Sequence, residues 1–127
     1  NRNYEADWGE KWQGLLENID IDDNERPNDY DFTKTNYDNQ ANQLLAKNLK
    51  GKLLLAHGNL DNNVPPYNTL LVVEELIKAN KDFDLIIFPN KRHGFGDQSN
   101  YFMRRKWDYF VKHLKGLNPP SNFSLTF

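Results

Sequence analysis

Two short apolar runs, residues 53–56 (LLLA) and 83–88 (FDLIIF), flank a single amphipathic segment, and this triplet constrains the fold more than any other feature of the chain. The first run is apolar throughout and the second apolar but for Asp84, the pattern of strands covered on both faces. Between them, residues 68–81 set Leu70, Val73, Leu76 and Ile77 on one helical face and a Glu74/Lys78 pair at i,i+4 on the other. Pro89 stops the second run. A last helix is expected from Ser99, read as its N-cap, with Met103, Trp107, Phe110, Val111 and Leu114 as a core-facing stripe. Gly116 and the pair Pro119-Pro120 end it. Strand, helix, strand, helix predicts an α/β fold built on a parallel βαβα unit with a right-handed crossover.

Two parallel strands alone leave bare edges, and parallel sheets occur almost only when covered on both faces. The chain is therefore expected to belong to a larger α/β sheet or to complete its sheet with another copy of itself, as a homo-oligomer. Order is weaker upstream. Trp8, Trp12, Leu15, Leu16 and Ile19 fall at helical spacing, although Gly9 and Gly14 weaken that helix. Residues 20–43 are dense in Asn and Asp, which favour turns, and residues 41–49 close the stretch with one or two helical turns. The expected division is a helix and loop region over 1–43, the βαβα unit over 44–120 and a tail over 121–127.

Composition excludes several classes. The 127 residues make one domain at most, and with 38% hydrophobic and 27% charged residues no apolar run approaches the ~20 needed to span a membrane. Residues 1–50 carry 11 acids against 6 bases and the remainder 7 against 10, with no Lys/Arg block interleaved with aromatics, so nucleic acid is not an expected partner. The absence of cysteine rules out disulfides and thiolate chemistry. The opening NRNYEADWGE has neither a basic n-region nor an apolar h-region and suits a processed chain or a piece of a longer one.

In open parallel sheets, chemistry gathers in the loops at the carboxyl ends of the strands. One such loop, HGNLDNNVPP, holds Asp61; the other, PNKRHGFG, holds His93. Because the strands run the same way, both side chains leave from the same rim. A carboxylate bonded to one imidazole nitrogen fixes the tautomer and leaves the other nitrogen to take a proton from a nucleophile. The order Asp then His suits the α/β-hydrolase arrangement, in which a serine in a G-x-S-x-G turn precedes both. The serines here, Ser99, Ser121 and Ser124, all follow Asp61 and none is flanked by glycines. On spacing alone Asp61 reads more readily as a turn former, and His93 as a loop cap, than either does as a catalytic group. His57, at a strand end before Gly58, reads as a satisfied structural histidine, and His113 as part of a solvated face. The three histidines match no H-E-x-x-H spacing, so neither a metal nor another cofactor is called for.

The stretch HGNLDNNVPPYNTLLVVEELIKANKDFDLIIFPNKRHGFG, preceded by NLKGKLLL and followed by RRKWDYFVKHLKG, resembles the end of the catalytic domain in the prolyl oligopeptidase family of serine peptidases, dipeptidyl peptidase IV branch. The resemblance covers residues 44–120 well and residues 1–43 loosely, through DWGEKWQG. It implies the C-terminal portion of an α/β-hydrolase fold, with Asp61 as triad acid and His93 as general base. Asn63 and Val64 fall where the family contacts the N-terminal side of a peptide substrate or lines the pocket for its penultimate proline. The nucleophile, oxyanion donors and β-propeller would lie upstream, leaving this chain inactive alone, and analogy with bacterial members points to an exported parent. An α/β-hydrolase esterase and a non-catalytic, self-associating interaction module are the competing expectations.

Overall fold

The computed structural model describes residues 41–126. The helix expected over 8–19 and the irregular stretch up to residue 40 lie outside the described residues. The first element is a single helical turn, α1 (Asn42–Leu45), continued by a 3-10 turn over Ala46–Asn48. There follow β1 (Leu54–Gly58), α2 (Pro66–Lys78), β2 (Asp84–Phe88), a second 3-10 turn (Gly96–Gln98) and α3 (Ser99–Lys115). The two strands pair in parallel, Leu54 opposite Asp84 and Gly58 opposite Phe88, with α2 as the crossover, as the sequence pattern predicts.

Local chemistry explains the element ends. Pro66 opens α2 at its first turn, where a missing N–H costs nothing and the ring presets a helical φ. At the other end Asn80 takes a left-handed φ of 52°. There the Asn80 and Lys81 amides return to the Ile77 and Leu76 carbonyls at 2.9 Å each, a Schellman closure with Asn in the place glycine usually takes. Glu74 and Lys78 form the expected i,i+4 pair at 3.0 Å. Gly116, at φ 65°, ends α3 by sending its N–H to the Val111 carbonyl.

Ser99 does not cap α3. The 3-10 turn before it already winds the chain, so its hydroxyl points back to the carbonyls of Gly96 and Gly94, at 2.7 and 2.9 Å, instead of to the open helical amides. Gln98 stands at the N-cap with no side-chain bond.

Among the described residues the buried apolar ones are Ala41, Ala46, Leu76 and Phe88. Around Phe88 an aromatic cluster forms: Phe95 stacks on it with centroids 4.4 Å apart, and Phe102 of α3 meets both rings edge-on. This is the contact that seats α3, so its inward face starts from Phe102. Further along that helix Tyr109 bonds the Asp84 carboxylate at the start of β2, and burial followed by that carboxylate pushes the phenol upward. The expected core stripe is therefore corrected: Trp107, Phe110 and Leu114 are exposed, Leu114 by 77%. On α2 the same holds for Leu70 and Ile77, while Leu76 is buried. Helical periodicity identified apolar faces correctly, but a two-stranded sheet is too narrow to cover all of them. No helix among the described residues is long and apolar enough to cross a membrane.

Candidate active site

The two rim loops are stitched together by their backbones. From the β1 side, the amides of Asn59 and Leu60 reach the carbonyls of Phe88 and Lys91 at 3.1 and 3.0 Å. The Asn59 side-chain oxygen takes the Asn90 amide at 2.6 Å. Gly58 is what permits this approach, since a Cβ on it would sit 2.3 Å from the Lys91 carbonyl oxygen and 2.5 Å from that of Arg92. The glycine lets the β2 loop lie across the end of β1, and the loop's next residue is His93.

Asp61 is buried, 7% exposed, and each of its oxygens has a distinct task. Oδ1 accepts the amides of Asn63 and Val64 at 2.9 and 3.0 Å, the local turn that short acidic side chains make with their own backbone. Oδ2 is 2.8 Å from His93 Nδ1. Burial taken alone would raise the Asp61 carboxyl, but the Val64 amide, the His93 imidazole and the Asn63 amide, together with the charge of His93, outweigh it and hold the group below the ordinary carboxylate range. The ionised carboxylate accepts from His93 Nδ1–H, which leaves Nε2 unencumbered on a side chain 61% exposed. The pair joins a fixed, ionised orienter to an imidazole whose second nitrogen faces outward.

A cleft of ≈ 290 Å³ opens beside the pair, lined by Asp61, His93, Val64, His57, Val72 and Phe95 among others. Val64 therefore shares the site, 37% exposed at its wall. Asn63 does not line the cleft; its amide holds Asp61 while its side chain is exposed. His57 is satisfied at both ring nitrogens, by the Thr69 hydroxyl at 2.6 Å and the Val64 carbonyl at 2.8 Å, as a structural histidine should be. Thr69 was not singled out by the sequence, because its helical position carries no motif. His113 packs against Tyr109 and is half-buried, so the expectation of a solvated face is corrected. Among the described residues no cluster of His, Asp and Glu is arranged to hold a metal ion.

The fold is that of an α/β hydrolase, of which the described residues form a parallel two-stranded portion with its helices. The sequence profile of the prolyl oligopeptidase family matches residues 3–117, and the chain belongs to that family. The match includes the upstream region, whose likeness to the family's motifs is only loose. Among relatives, Dipeptidyl peptidase family member 1 of Caenorhabditis elegans is 38% identical over 61 residues, covering 48% of this chain and 8% of that protein. Dipeptidyl peptidase 8 of Homo sapiens is 45% identical over 42 residues, covering 33% of this chain and 5% of the relative. A crystal structure assigned to a dipeptidyl aminopeptidase IV from Bacteroides ovatus superposes with a TM-score of 0.53 at 28% identity, over 56% of this chain and 10% of that one. The chain thus spans a tenth or less of the length of the relatives it matches.

Proposed function

We propose that this chain supplies the acid and the base of a serine peptidase site that removes Xaa-Pro dipeptides from peptide N-termini, with the serine provided by residues outside these 127. The observation that carries the reading is the 2.8 Å bond between the buried Asp61 carboxylate and His93 Nδ1, made where two parallel strands end on one rim. In this reading His93 Nε2 takes the serine hydroxyl proton as the hydroxyl attacks the peptide carbonyl. It then hands that proton to the leaving amine, and repeats the relay with water to release the dipeptide. Asp61 stays ionised throughout and stabilises the imidazolium.

Val64, held by the stiff Pro65-Pro66 pair, is proposed to form part of the apolar wall around the penultimate proline, and Asn63 to face the N-terminal side of the substrate. Without the serine and the oxyanion donors the chain alone turns nothing over. Joined to an upstream segment bearing G-x-S-x-G, it is expected to hydrolyse a chromogenic Xaa-Pro substrate, and His93→Ala to abolish that activity. No turnover in the joined protein, or turnover indifferent to His93→Ala, ends the proposal.

A further inference from the structure

His57 takes no part in the relay just described, yet both of its ring nitrogens are bound to residues that line the site. The residue is 7% exposed at the end of β1. Its Nε2 lies 2.8 Å from the Val64 carbonyl, which has no proton to give, so Nε2 carries the hydrogen and donates it. Nδ1 is then the bare nitrogen and accepts the Thr69 hydroxyl at 2.6 Å, from the first turns of α2. One imidazole thus ties a strand end, a loop and a helix together.

The loop residue it grips is the one that grips Asp61. Val64 gives its N–H to Asp61 Oδ1 and its C=O to His57, so the residue is held from both sides. His57 Nε2 also lies 3.6 Å from Asp61 Oδ2, beyond hydrogen-bond distance, whereas His93 Nδ1 is 2.8 Å from the same oxygen. Oδ1 is thus held by its own loop and Oδ2 by His93.

We infer that His57 is a positioning residue: acting through the Val64 backbone, it sets the direction in which Asp61 presents Oδ2 to His93, and it holds Val64 in the cleft wall at the same time. Its consequence for catalysis rests on the peptidase reading above, whereas the positioning itself is readable without turnover. The test is imidazole ¹H–¹⁵N correlation on the ¹⁵N-histidine-labelled chain, with thermal unfolding measured in parallel. In the unaltered chain His57 is expected as the Nε2–H tautomer and His93 as a protected Nδ1–H.

His57→Phe, which keeps the ring volume but no donor, is expected to speed exchange of the His93 Nδ1–H by about tenfold, the worth of roughly one hydrogen bond. His57→Gln, whose amide nitrogen can reach the Val64 carbonyl, is expected to restore protection. Thr69→Val, which frees the ring without removing it, covers the case in which His57→Phe does not fold, and is expected to weaken protection in the same direction. Several results overturn the inference: His57 as the Nδ1–H tautomer, His57→Phe or Thr69→Val lowering the melting temperature while His93 stays fully protected, or His57→Gln behaving as His57→Phe does. If protection follows the pattern but the joined protein shows no peptidase activity, the positioning stands and the peptidase reading falls.

Discussion

At the scale of single residues, Asp61 commits its two oxygens in different directions, one to its own backbone and one across the rim. Its carboxyl is held below the ordinary range in the folded chain, so the unfolded chain binds the proton more readily. The stabilisation is present above the unfolded value of about 4 and is lost as pH falls through the lower folded value. Asp61→Asn should remove this dependence: the stability gap between the two proteins, measured by urea unfolding, is expected to be widest near neutrality and to close on acidification. A gap that stays constant or widens in acid contradicts the assignment. That Asp61 and His93 would meet was legible from the sequence because strand ends place them on one rim whatever the loop details. The engagement of Asn63 through its backbone amide, and of His57 through Thr69, was not, since neither residue type dictates such a partner.

Among the elements, the β2 to α3 connection is the least regular and the most informative. Phe95 adopts φ 58°, a left-handed conformation that a residue with a bulky side chain avoids, and its ring stacks on Phe88 and meets Phe102. The stack holds the backbone in that conformation and thereby fixes the course of the loop two residues after His93. Phe95→Ala is expected to cost about 2 kcal/mol, less than a fully buried Phe would, because the ring is only half covered. Phe95→Gly should be no worse than Phe95→Ala: relief of the ~1–2 kcal/mol left-handed penalty matches or exceeds glycine's ~0.5–1 kcal/mol entropic cost. A glycine variant clearly less stable than the alanine one, by denaturant titration, would show that the conformation is not strained. Strand and helix identities were readable from period and Pro/Gly punctuation, and only their ends shifted. Ser99 misled because a serine before a helical stripe looks like a cap whether or not a 3-10 turn has already started the winding.

At the scale of the whole molecule, the described residues bury few side chains and leave apolar ones outside on both helices, with Ile77 64% and Leu114 77% exposed. Among the described residues the sheet has two strands, so each has an edge that no other described strand pairs. We expect the chain on its own to self-associate, which sedimentation at tens of micromolar would reveal as a dimer or larger species, whereas a stable monomer would contradict the expectation. Which polypeptide covers these faces was not legible, because periodicity reports that a face is apolar and carries no information about its partner. The central claim is that Asp61 and His93 act as one unit on a serine. A double-mutant cycle in the chain joined to a serine-bearing upstream half tests it most directly, through kcat for an Xaa-Pro substrate. Asp61→Asn is expected to lose about 10⁴ and His93→Ala as much or more, with the double variant no slower than His93→Ala alone; losses that multiply would show two independent residues and contradict the account.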